Sequence, residues 1–137
     1  MARRLLLLVV AAVAAGCGSS SSGTTTGAAT RSTTTVRPPL AAIVINSPAP
    51  GAPVPLAIPV AGSASVFEAT LVVELVRGGK VLDKRSVTAS EGAPGRGTFA
   101  TTLRAPSPGA ATISAFAPSA ADGSPQHRVD VPVTVSP

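Results

Sequence analysis

From residue 40 to residue 137 the chain offers no run of ten residues with helical periodicity that is free of Pro, Gly and β-branched stretches. Pro removes a backbone donor and Gly adds unfolded-state freedom, so an interrupted segment of this kind cannot sustain a helix. Of the 14 Pro in the chain, 12 lie in this region. Many of them gather with Gly at Ser47-Pro-Ala-Pro-Gly51, Glu91-Gly-Ala-Pro-Gly-Arg-Gly97, Ala105-Pro-Ser-Pro-Gly109 and Ala121-Asp-Gly-Ser-Pro125. Clusters of that composition are turns. The segments between them must therefore be short strands.

The clearest strand is Arg128-Val-Asp-Val-Pro-Val-Thr-Val135, with Val129, Val131, Val133 and Val135 on one face and polar residues or Pro on the other. A period of two is that of a half-buried strand. Pro132 within it predicts an edge position or a bulge. Leu71, Val73 and Leu75 alternate in the same way, and Gly78-Gly79 then separates that run from Lys80 to Thr88. Two glycines between apolar runs predict a tight hairpin, because primed turns need positive φ. Ala42 to Ile45, Leu56 to Ala61, Thr98 to Leu103 and Ala111 to Ala117 complete the set.

About seven short strands in about 100 residues predict an all-β, immunoglobulin-like sandwich. The expected core is Ile43, Ile45, Ile58, Val60, Leu71, Val73, Leu75, Val87, Phe99, Leu103, Ile113, Ala115, Val129, Val131 and Val133.

The region before residue 40 differs in kind. Arg3 and Arg4 precede an 11-residue apolar run, Leu5 to Ala15, and then Gly16-Cys17. A basic start, a short apolar run and small residues predict a signal peptide over 1–16. Eleven residues are too few to cross a membrane, which needs ~20. Ala14-Ala15-Gly16-Cys17 resembles the lipobox of bacterial lipoproteins, with Ala14 where Leu is usual. Cys17 is the chain's only Cys, and the resemblance implies that it carries the lipid. The expected location is the outer face of the bacterial cell membrane, held by two or more acyl chains. Residues 17–39 follow as a tether: from Gly18 to Pro39, 12 of 22 residues are Ser or Thr. Such a composition buries too little apolar surface to offset its ordering entropy. The domain is expected to span 40–137.

Within that domain Ile45-Asn-Ser-Pro-Ala-Pro-Gly51, Val60-Ala-Gly-Ser-Ala-Ser-Val-Phe-Glu68, Gly95-Arg-Gly-Thr-Phe99 and Ser119-Ala-Ala-Asp-Gly-Ser124 occur in order. Together they resemble the bacterial spore germination immunoglobulin-like domain, a module of exported bacterial proteins. The resemblance implies the same sandwich fold and supplies no catalytic residues.

Composition argues against most chemistry. The chain has one His, one Cys, one Met, three Phe and neither Trp nor Tyr. That set is too small for a soft-metal site, a Cys/His nucleophile pair or a base-stacking platform. We therefore expect no enzyme activity, no cofactor, no metal and no nucleic acid. His127 reads as a solvated surface residue, and Asp122-Gly123-Ser124 as a turn, since calcium needs six or more oxygens. Gly92 to Gly97 lacks the Lys-Ser/Thr ending of a phosphate loop and reads as a connection.

Two features are candidates for binding. Phe67 is expected to cap one end of the core, with presentation to a partner as the alternative. Arg77, Lys80, Lys84 and Arg85 gather around one hairpin opposed only by Asp83. They read either as a basic edge that discourages strand addition or as a contact for anionic wall polymer or lipid headgroups. The combined expectation is a lipid-anchored module whose partner is an envelope protein or wall polymer.

Overall fold

A computed structural model describes residues 38–137, which form eight strands: β1 (Ile43–Ser47), β2 (Pro53–Val54), β3 (Ala57–Ala64), β4 (Thr70–Arg77), β5 (Lys80–Thr88), β6 (Gly97–Arg104), β7 (Gly109–Pro118) and β8 (Pro125–Val135). The predicted signal peptide, Cys17 and nearly all of the tether lie outside the described residues. One sheet has the order β1-β3-β6 and the other β2-β8-β7-β4-β5. All pairings are antiparallel except β2 with β8.

Alternation decides which side chains lie between the sheets. Leu71, Val73 and Leu75 of β4 and Ile113 of the neighbouring β7 point inward and are fully buried, as are Ile43, Ile58 and Leu103 from the facing sheet. Each such side chain contributes roughly 1.5–3 kcal/mol. Val131 and Val133 complete the β8 contribution, joined by Val135. Ile45, Val87 and Val129 are corrections to the expected core: they are only partly buried and pack against its margin.

The β4–β5 hairpin has the expected turn, with φ of +54° at Gly78 and +77° at Gly79. Pro132 sits where its missing donor is harmless. Its carbonyl accepts from Gly51 N at 2.7 Å, on the side of β8 facing away from β7. Its ring nitrogen therefore faces away from β7 as well. The bulge of β8 lies elsewhere, opposite the register shift between Ala115 and Ala117.

β2 carries no signal in the sequence, because a two-residue strand, Pro53-Val54 followed by Pro55, shows no periodicity. It forms because Thr134 N and Ser136 N donate to Ala52 O and Val54 O, at 3.0 and 2.8 Å, while Val54 is buried. The outward face of the larger sheet is also more enclosed than alternation alone implies. Val72 and Phe116 are buried there, with the Arg128 guanidinium 5.9 Å from the Phe116 ring centroid. Beside them Glu74 pairs with Lys84 at 3.1 Å, and Ser114 donates to Asp130.

Candidate functional site

Antiparallel pairing brings three connections to one end of the sandwich: Ser65 to Ala69, Ala89 to Arg96, and Ser119 to Ser124. The chain also enters the domain here, since Ser65 N donates to Ala42 O at 2.7 Å and Arg96 Nη2 donates to Ala41 O at 2.6 Å.

Phe67 does not cap the core. It is 77 % exposed, whereas its neighbour Val66 is 3 % exposed and closes this end of the hydrophobic interior. The physical reason is the backbone around it. A single 3-10 turn at Phe67–Ala69 contains Glu68 at φ +59°, followed by Ala69 at φ +55°. Val66 is extended, at φ −126° and ψ 153°, so Phe67 leaves the chain on the side opposite the core that Val66 enters. Two left-handed residues in succession, each costing on the order of 1 kcal/mol, then lead into β4. Val66 O accepts from Ala69 N at 3.2 Å and from Ala93 N at 2.9 Å, and Ala69 O accepts from Ala89 N at 2.8 Å. The β5–β6 connection thus braces the turn that displays Phe67.

Behind the ring is a cleft of about 480 Å³ lined by Val66, Phe67, Glu68, Pro118, Ala121 and His127 among others. His127 is exposed, in agreement with the sequence reading, and is also left-handed at φ +55°. Glu68, Ala69 and His127 are the non-glycine residues at positive φ among the described residues. All three belong to this cleft or its rim. Strained backbone concentrated at one concave surface is a pointer to function.

Electrostatics set the same end apart. Glu68, Glu91 and Asp122 stand on its three connections, and none forms an ion pair among the described residues. Asp122 Oδ1 accepts from the hydroxyl and backbone N–H of Ser124, at 2.7 and 3.0 Å. Those bonds hold its carboxyl below the usual carboxylate range. This Asp122-Gly123-Ser124 segment is a turn, closed by Ser119 N to Ser124 O and Gly123 N to Ser119 O, both 2.8 Å. Arg96 and Arg128 are the guanidiniums near this end, and both are already engaged, Arg96 by Ala41 O and Ser63 Oγ and Arg128 by Asp130 and Ser114 Oγ.

The basic hairpin is not one surface. Arg77 donates to Ala110 O, Ser107 Oγ and Ser107 O at 2.9–3.0 Å, so it clamps the β6–β7 connection. Lys84 lies opposite Glu74 on the outward face, whereas Arg85 lies opposite the core residue Val73 and pairs with Asp83 at 3.3 Å. Lys80 is exposed and makes no ion pair among the described residues. Asp83 holds strands together, since its Oδ2 accepts from Arg104 N at 2.7 Å and joins β5 to the edge of β6. No three His, Cys, Asp or Glu side chains come together as a metal site among the described residues.

The cleft is not legible in the sequence because its formation depends on left-handed Glu68, Ala69 and His127, and no residue-type rule assigns positive φ to those. The one visible signal is Phe67 itself, a large apolar residue outside any alternating run.

Two sheets packed face to face, with long antiparallel ladders and an interior drawn from alternate residues of each strand, make this an immunoglobulin-like β-sandwich. The model of the immunoglobulin-like domain of bacterial spore germination matches residues 42–124, and the chain belongs to that family. Comparison with curated proteins gave no match.

Proposed function

We propose that the chain is a non-enzymatic, lipid-anchored protein of the outer face of the bacterial cell membrane. Its immunoglobulin-like domain binds or positions another envelope component through the end that displays Phe67. The observation that carries this reading is the 77 % exposure of Phe67 beside a cleft, on a turn braced by the β5–β6 connection. An exposed aromatic held on a rigid loop is a common binding anchor. The lipobox-like Ala14-Ala15-Gly16-Cys17 supports the anchoring half, because a lone Cys in an exported chain is otherwise an oxidisable thiol.

The test is recovery of crosslinked partners from intact cells. The full chain should recover a discrete envelope component that a chain lacking residues 40–137 does not. The reading fails when deletion changes neither the recovered components nor any envelope phenotype. Anchoring is tested separately by Cys17→Ser, which should move the protein from the membrane fraction to the soluble exported fraction.

A further inference from the structure

We infer that the Phe67 end takes a basic segment of a partner protein, with an apolar side chain seated against the Phe67 ring and Lys or Arg side chains facing Glu68, Glu91 and Asp122. The inference rests on the proposed binding role and adds the chemistry of the partner. Three observations lead to it. Phe67 and the small apolar residues Pro118 and Ala121 give the cleft room and surface for one apolar side chain. Glu68 lies in the lining itself, and no Lys or Arg does. The adjoining connections add Glu91 and Asp122, again with no ion pair among the described residues, while the nearby Arg96 is turned to Ala41 O and Ser63 Oγ and Arg128 is held by Asp130 and Ser114 Oγ.

Charge of one sign around an apolar anchor selects its opposite and rejects its like. Anionic wall polymer and anionic lipid headgroups are therefore disfavoured at this end. A second copy of the domain docked through the same end would bring Glu68, Glu91 and Asp122 against themselves. A protein segment carrying both an apolar and a cationic side chain satisfies the two halves of the surface together. The volume of the cleft, about 480 Å³, suits a side chain and its backbone, not a folded domain.

The experiment uses the full chain in living cells, with a photoreactive benzoylphenylalanine in place of Phe67. The same residue placed at Lys80, at the far end of the β4 ladder, serves as the comparison. Irradiation and mass spectrometry then identify the captured peptide. The expected result is capture at position 67 of a protein peptide with net positive charge and an apolar residue beside the crosslink. Yield should fall about tenfold with Glu68→Lys and by an intermediate amount with Glu68→Gln, in the range of a few exposed charge contacts. It should also fall with added salt. Lys80→Glu should change nothing, and an unaltered melting temperature of each variant separates lost recognition from lost folding.

Several results overturn the inference while leaving the binding role intact. They are capture at 67 indifferent to Glu68 charge, or capture at 67 of an acidic peptide or a lipid. Capture only at position 80, or capture of a second copy or of residues 18–37 of the same chain, overturns binding of another component through the Phe67 end as well. No specific capture from either position overturns the binding role as well.

Discussion

At the scale of single residues, Val66 and Phe67 divide what one apolar residue would ordinarily do. Val66→Ala removes methyl groups from the closed end of the core and should cost about 1–3 kcal/mol. Phe67→Ala removes a ring that is 77 % exposed and should change stability by less than about 0.5 kcal/mol. Chemical denaturation of the two variants checks this, and an equal loss in both would contradict the assignment of Val66 as the cap. Gly62 is the opposite case, a residue whose importance lies in what it lacks. It pairs with Phe99 across β3 and β6, and a Cβ there would sit 2.7 Å from Phe99 Cζ and collide with Val44 O. Both neighbours are held by ladders, so Gly62→Ala should destabilise the domain by about 1–3 kcal/mol. A melting temperature equal to that of the parent would refute the close approach.

At the scale of elements, Asp83 is the point where the two sheets are stitched along one edge. Its carboxylate accepts from Arg104 N of β6 at 2.7 Å and from Lys84 N at 2.9 Å, and it pairs with Arg85. Partial burial pushes its pKa up, but these hydrogen bonds and the Arg85 charge outweigh burial and hold it below the usual carboxylate value. A group depressed in the folded state gives stability that is fully present above its unfolded pKa, about 3.9. That stability disappears as pH falls through the folded value. The stability advantage of the parent over Asp83→Asn should therefore be constant from pH 7 to about pH 5 and shrink below about pH 4. Parallel stability curves down to strongly acidic pH would show that the carboxylate charge does not hold this edge.

The same scale explains what is legible in the sequence. Strands β4, β5 and β8 can be read because alternation and the Gly78-Gly79 turn are local properties. β2 cannot, because its two residues exist as a strand only through bonds from Thr134 and Ser136 to Ala52 and Val54, each 82 residues apart. The basic hairpin misleads for a related reason. Sequence proximity groups Arg77, Lys84 and Arg85, but the pleat and the partners Ser107, Glu74 and Asp83 turn them to separate roles.

At the scale of the whole molecule, the path of the chain ties the proposed binding to the proposed anchoring. Ala41 and Ala42 are bonded to Arg96 and Ser65, so the polypeptide arrives at the same end that displays Phe67. On the proposed reading, with lipid at Cys17, the Phe67 end is on the side of the domain that the chain enters. A partner must reach it within the gap that the connecting residues allow. A stretch of 22 residues, as from Gly18 to Pro39, can reach at most roughly 75 Å when fully extended. Removing residues 19–36 leaves four residues and a taut limit of about 14 Å, comparable to the headgroup layer itself. Capture through position 67 should then collapse, while a photoreactive residue at position 80, at the opposite end, stays accessible to a soluble reagent. Restoring the length with a Gly/Ser sequence of 18 residues should restore capture, since reach sets the outcome and the identity of the Thr-rich run does not. Undiminished capture after the deletion would mean that the partner approaches from the membrane itself or that Cys17 does not hold the chain there. The Cys17→Ser fractionation distinguishes those two outcomes.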